Sequence, residues 1–362
     1  MAIQSITAKN FTVFNDIHID FCKGVNVFIG ENGTGKTHLL KLLYIASLVR
    51  SGSHERIARI FGEDFDFAFN LTQLVTDANT LANGDEAEIE YTVNGKAVLS
   101  PEQQEEQIKM RKEIRDRYKS TENVRITLNI DDDSMFPPVS VISTEPIQAV
   151  YLPAKDMLTH GRLEKDHSER YLPFDTTLID ILNKAGVSSM RTLEPYQRTI
   201  MDKIATIIGG KVVYKSPRYY VQKENGRLVG FDMEAEGYKK FGLIYRLVET
   251  GYMEKGSILL WDEPEANLNP KMIPEIVKIL LTLSRHGVQV FLATHDYNLM
   301  KYFSIAKNVQ DEIAFYSLYK TDNGVVYEVS EDYDLLDNNA IVAAEIKLLE
   351  DEIEGVFGDG LC

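Results

Sequence analysis

Cysteine is nearly absent: the 362 residues hold two, Cys22 and Cys362. Two cysteines exclude a disulfide framework and a cysteine metal cluster, so a reducing, cytoplasmic setting is expected. Long apolar runs are missing as well. None approaches the ~18 residues that a bilayer span requires, so no membrane association is expected. The opening MAIQSITAKNF has no basic stretch leading into an apolar core, so no secretory signal is expected either. Positive charge is also scarce. Lys and Arg number 39 against 55 Asp and Glu, a formal net charge of −16. A free-standing, non-specific nucleic-acid binder usually carries the opposite balance, because phosphate contacts need cations. Nucleic acid stays possible through a local basic face. The balance favours a protein partner or self-association.

What is present is ordinary globular composition, 44% hydrophobic and 26% charged. Residues 2–30 read as two or three short strands. The spacing of Leu39, Leu40, Leu42, Leu43 and Ile45 predicts a helix over 37–49 with a broad buried face. Helices are expected at 54–82, 175–186 and 193–208, and strands at 87–93, 123–130 and 148–152. A charged segment, 101–121, begins with Pro101 and pairs Glu105 with Lys109 at i,i+4, which suits a solvated surface helix. KVVYK and RYYVQKENGRLVG predict strands with a hairpin turn near Glu224–Gly226. From 238 the pattern alternates regularly: helix 238–252, strand 257–262, helix 270–285, strand 288–293, helix 296–303. Two apolar strands alternating with helices imply a buried parallel sheet. Strands near 312–319 and 325–329 and a helix over 339–354 complete the chain.

Residues 30–37, GENGTGKT, follow a strand and precede the Leu-rich helix. That context turns a glycine-rich pattern into a phosphate-binding expectation. Gly33 and Gly35 let backbone N–H groups curl inward around Asn32 and Thr34, and the helix aims its positive end at the same place. Lys36, taken as a solvated charge, would reach the β- and γ-phosphates. Thr37 would offer its hydroxyl to Mg²⁺. The next residue, His38, is grouped with these as cofactor-binding. A second segment, GSILLWDEPEANLNP (256–270), ends a buried strand in two adjacent carboxylates. Asp262 is expected to hold the metal and Glu263 to polarise the attacking water, with their strand beside that of the phosphate loop. A third segment, VQVFLATHD (288–296), ends a further strand at His295, expected to meet the γ-phosphate.

Together these segments resemble the ABC-type ATPase head, and more narrowly the RecF/SMC/OLD-like, AAA-like ATPases of DNA repair and phage defence. The resemblance implies an α/β P-loop NTPase fold: a mixed parallel core sheet, an antiparallel N-terminal sheet and a helical insertion lobe. It implies ATP and Mg²⁺ as cofactors. The expected division is a nucleotide-binding core of 1–52 and 230–362, with 53–229 as the inserted lobe. VYLPAKDMLTHGRL (150–163) resembles the lobe-connecting segment, where Lys155 or Asp156 would report on the nucleotide. Gln148 is a candidate for the family's Q-loop glutamine, although it precedes the expected place. In such proteins a signature motif from a second head caps the γ-phosphate. Here MEAEGYKKFGLIYRL (233–247) is the candidate, with Gly237 at the glycine and Ala235 where the serine would stand. The lost hydroxyl implies low turnover.

The favoured reading is an ATPase that forms a homodimer or higher oligomer on ATP and controls a separate effector protein, a toxin or nuclease. The alternatives are a DNA-repair ATPase that binds DNA directly and a transporter ATPase subunit. The interval from Lys36 to Asp262 is too short for an SMC-type coiled coil, and no nuclease module is expected after 354. A GTPase is disfavoured, because NKAG (183–186) lacks the acid that reads guanine.

Overall fold

The computed structural model describes residues 2–48, 86–94, 121–129, 139–141, 148–154 and 176–358. The helices expected at 54–82 and 101–121, and Lys155 and Asp156, lie outside the described residues.

Two sheets stack around one shared apolar layer. The first is antiparallel and holds Ala2–Phe11 (β1), Phe14–Asp20 (β2), Glu86–Asn94 (β4), Thr121–Asn129 (β5) and Val139–Val141 (β6) in the order β2-β1-β4-β5-β6. The second has six strands: Val25–Gly30 (β3), Ala149–Leu152 (β7), Ile258–Asp262 (β11), Gln289–Ala293 (β12), Ile313–Thr321 (β13) and Gly324–Ser330 (β14). Its order is β14-β13-β3-β12-β11-β7. Among the described residues the pairs β13–β3, β3–β12, β12–β11 and β11–β7 are parallel, and β13–β14 is antiparallel. Segment 53–229 thus supplies strands to both sheets: β4 to β6 to the first and β7 to the second.

The strand sequences explain this layering. Every residue of β3 and β12 is buried, as expected for strands covered on both faces. Alternate side chains then enter different cores. Phe28, Ile258, Leu260 and Phe291 meet Leu39, Leu40 and Leu43 of the helix Lys36–Leu48 (α1) and the apolar side of β1 and β2. Val27, Leu259, Trp261, Val290 and Leu292 face the opposite helical layer. That layer contains Thr176–Gly186 (α2), Pro195–Ile208 (α3), Glu236–Glu249 (α4), Ile273–Arg285 (α5) and Tyr297–Ala306 (α6). A small antiparallel sheet, Lys211–Lys215 (β8), Arg218–Gln222 (β9) and Leu228–Gly230 (β10), lies with α2 and α3. A last helix, Ala340–Gly358 (α7), follows β14.

Two expectations need correction. The strand ending at Asp262 is not beside the phosphate-loop strand, because β12 lies between them. The helix expected at 238–252 runs from 236 to 249. Its first turn is set by Ala235, whose backbone is extended and whose carbonyl accepts from Tyr238 N.

A buried amide fastens the first strand to the central one. Gln289 Oε1 accepts from Ile3 N at 2.8 Å, and its Nε2 donates to the carbonyls of Ile3 and Cys22 at 2.9 Å each. Gln289 is 2% exposed, so water cannot replace these bonds. Replacing Gln289 by Leu should therefore destabilise the fold by about 2–4 kcal/mol, the cost of stranding buried donors and acceptors. Urea unfolding measures it, and a loss below about 1 kcal/mol would contradict the role given to this amide.

Candidate nucleotide site

The loop between β3 and α1 is shaped around Gly35. Its φ is +84°, and a Cβ there would stand 2.6 Å from Phe14 Cζ and 2.7 Å from Val13 Cγ2. Only glycine suits both the left-handed backbone and that close approach. Asn32 and Gly33 lie exposed at the tip of the loop. Thr34 is buried, and its hydroxyl donates to the Glu31 carbonyl at 2.9 Å.

Lys36 corrects the expectation of a solvated charge. It is 6% exposed, and Nζ donates to the carbonyls of Gly30 and Glu31 at 2.9 Å each. Burial pushes its pKa down to about 8, against the pull of Asp262, Glu263 and Glu265. The lysine is held in the loop, in reach of the place that the loop encloses.

The parallel strands bring their C-terminal ends together. Helix α1 leaves the loop across β12 towards β11, so Thr37 Oγ1 donates to Asp262 Oδ2 at 2.8 Å. Burial raises the Asp262 pKa, and the Thr37 hydrogen bond opposes that rise. Glu263 leaves the strand with φ +48°, an uncommon conformation for a side-chain-bearing residue, which re-aims its carboxylate relative to Asp262. His295 Nε2 lies 4.0 Å from Glu263 Oε1. Its pKa is lowered, first by burial and then by Lys36, while Glu263 and a hydrogen bond to the Gly30 backbone act in the other direction. His38, one residue beyond Thr37, is half-buried, and burial followed by Lys41 lowers its pKa.

The donor set suits Mg²⁺. Mg²⁺ takes hard oxygens, keeps several waters, and needs one or two protein ligands beside substrate phosphates. Thr37 and Asp262 offer one hydroxyl and one carboxylate in contact with each other. Among the described residues no cluster of three or more His, Cys, Asp or Glu could hold a metal by itself.

A family profile described as "AAA domain, putative AbiEii toxin, Type IV TA system" matches residues 25–301, more than half of the chain. The chain belongs to this AAA domain family. It is an ATP-binding P-loop ATPase domain with an α/β head fold. It is also similar to the DNA replication and repair protein RecF of Streptococcus suis (strain 05ZYH33), 41% identical over 51 residues, covering 14% of each chain. The glutamine transport ATP-binding protein GlnQ of Bacillus subtilis (strain 168) is 31% identical over 116 residues, covering 29% of this chain and 43% of that one. These matches span less than half the length of either relative. Among solved structures, the SmcHead bound to the C-winged helix domain of ScpA superposes with a TM-score of 0.54 at 14% identity, covering 91% of this chain and 97% of that one. The AAA domain therefore shares the fold of an SMC head.

Other expected site residues lie at the start of α4 and before β7. Ala235 is exposed at the start of α4. Gly237 sits against the loop after β11, where a Cβ would stand 3.0 Å from Leu268 Cδ2. Gln148 is not at the site: it precedes β7, and its Nε2 donates to the Gly251 carbonyl at 2.9 Å. Four residues at the site were not expected. Tyr151 OH lies 3.5 Å from Asp262 Oδ2. Lys320 on β13 brings Nζ to within 3.4 Å of a Cβ built on Gly33. Lys240, buried on α4, donates to the carbonyls of Glu263 at 2.9 Å and Pro264 at 3.3 Å. Glu265 accepts from Thr294 Oγ1 at 2.7 Å. A lysine on the apolar face of a helix is a signal that could have marked Lys240. The other three depend on which strands lie side by side.

Replacing Lys36 by Ala should weaken ATP binding by about 10- to 100-fold, the value of one charge-assisted hydrogen bond to phosphate. Titration calorimetry with ATP and Mg²⁺ measures it. An unchanged affinity in a folded variant would contradict the site.

Proposed function

We propose that this AAA domain is a Mg²⁺-dependent ATPase switch that pairs head to head on ATP and controls a separate effector protein, a toxin or nuclease, in a defence system. The observation that carries the hydrolytic part is the meeting of Thr37, Asp262, Glu263 and His295 at the ends of three parallel strands. Lys36 and Thr37 bind the triphosphate and its Mg²⁺, with Asp262 as the second protein ligand. Mg²⁺ supplies charge neutralisation on the phosphates when bound. Glu263 accepts the proton of the attacking water, and His295 contacts the γ-phosphate. Residues 1–52 and 230–362 form the nucleotide-binding core in this reading, and 53–229 is an insertion that returns β7 to it.

Pairing is supported by the surface beside the site. Met233 is 79% exposed, Ala235 is exposed, and Gly237 abuts Leu268 in the loop after β11. The contact of Gly237 with that loop supports reading 233–237 and the loop as the face a second head would meet. Effector control is supported by the family description, which names a toxin system, and by the net charge of −16. The RecF similarity favours the alternative, a head that acts on DNA directly. The acidic balance weighs against it.

Two substitutions test this reading. Glu263→Gln should keep ATP binding and slow hydrolysis by about 10²–10⁴, because it removes the water-polarising carboxylate and leaves Asp262 in place. The variant should then accumulate as an ATP-bound dimer in size exclusion. Rapid hydrolysis would contradict Glu263 as the base, and monomers alone would contradict ATP-driven pairing. Ala235→Ser should tighten the dimer only when ATP is present, through a new charge-assisted hydrogen bond across the interface. The serine would also cap α4, a ligand-independent gain of about 0.5–2 kcal/mol that thermal melts of the monomer measure separately. An equal change in dimer affinity with and without ATP would remove 233–237 from the site.

A further inference from the structure

Glu265 is a half-buried acid with one fully buried carboxyl oxygen, and the mechanism above does not use it. It lies three residues beyond Asp262, and its side chain crosses from the end of β11 to the end of β12. Oε1 accepts from Thr294 Oγ1 at 2.7 Å and from His295 N at 3.1 Å. Oε2 is buried and has no hydrogen-bond partner among the described residues. Burying a carboxyl oxygen unpaired is costly. Burial accordingly raises the Glu265 pKa, against the hydrogen bonds from Thr294, its own backbone and the His295 backbone. An apolar side chain would fill the space without that cost, so the acid is best explained by the donors it fixes.

Those donors belong to one short relay. Thr294 Oγ1, donated to Glu265, accepts in turn from Asp296 N at 3.0 Å. Asp296 caps α6, with Oδ1 accepting from Leu299 N at 2.6 Å. The residues on both sides of His295, and its own N–H, are therefore tied down. Its ring faces Glu263 and the Gly30 backbone.

We infer that Glu265 is the positioning residue for His295, tying the loop after β11 to the loop after β12 and so fixing where the imidazole meets the γ-phosphate. This rests on the reading of the site as an ATPase centre. Glu265 touches neither nucleotide nor metal in this account and acts through the histidine. A second route from Glu265 to the site exists, since its charge acts on Lys36. The two routes separate by substitution. Gln keeps the oxygen that accepts from Thr294 and His295 but removes the charge, whereas Ala removes both.

The test is kcat and KM for ATP in the full chain for Glu265→Gln, Glu265→Ala, His295→Ala and the double Ala variant, with ATP affinity as a check on folding. Glu265→Gln should stay within about threefold of wild type, and Glu265→Ala should lose about 10²-fold in kcat with little change in KM, as expected when a reacting group is misplaced by about 1 Å. The double variant should be no slower than His295→Ala alone, since a residue acting through His295 has nothing left to position. Thr294→Ala, which removes one partner and leaves the acid, should show the same dependence on His295 if Glu265→Ala does not fold. Multiplicative losses in the double variant, or a Gln variant as slow as the Ala variant, would overturn the inference alone. His295→Ala at the wild-type rate would overturn the role of the histidine itself, and this inference with it.

Discussion

The site depends on the parallel register of β3, β12 and β11. Val27 pairs with Leu292, and Trp261 with the same residue from the other side, so the three strands end on one edge of the sheet. The ladder continues past the strands: Thr294 N donates to the Phe28 carbonyl and Glu263 N to that of Ala293. Gly30, His295 and the pair Asp262–Glu263 are thereby placed by backbone hydrogen bonds rather than by flexible loops. A slip of one residue would send Leu259 and Trp261 into the wrong core, because strand side chains alternate faces. Burial of those side chains is therefore what fixes the position of the acids.

Charges of both signs are gathered on that edge. Asp262, Glu263 and Glu265 share it with Lys36, Lys240 and Lys320, and burial raises the pKa of Asp262 and Glu265 while lowering that of Lys36. In the proposed function a divalent cation would offset Asp262 and Glu263, and the phosphates would offset Lys36. Two adjacent acids at the end of an apolar strand suit such a cation, because their mutual repulsion and desolvation otherwise go uncompensated.

Much of this was legible in the sequence, for identifiable reasons. GENGTGKT sits between an apolar strand and an amphipathic helix, so the loop, Lys36 and Thr37 were readable from pattern and context. The apolar runs ending at Asp262 and Thr294 marked both partner strands, and the 2-to-3.6 alternation of period marked the helices between them. Strand order was not readable: adjacency of β11 to β3 was expected, yet β12 intervenes, because order is set by how the connecting helices divide between the two faces. The burial of Lys36 was missed because a loop lysine beside glycines reads as exposed. Lys240, Tyr151, Lys320 and Glu265 come from elements or loops whose neighbours are known only once the sheet is assembled. The start of α4 lies two residues before the expected one because Gly237 is a poor helix former and Ala235, at the N-cap, offers no capping side chain to mark the turn.

The central claim is that this strand edge hydrolyses ATP with a metal held by Thr37 and Asp262. It is tested most directly by measuring phosphate release from ATP by the purified chain across a Mg²⁺ titration, alongside Asp262→Asn. The account predicts turnover that rises with Mg²⁺, vanishes on chelation, and is lost in the Asn variant at every Mg²⁺ concentration. Turnover that survives chelation, or an Asn variant with the wild-type Mg²⁺ response, would contradict it.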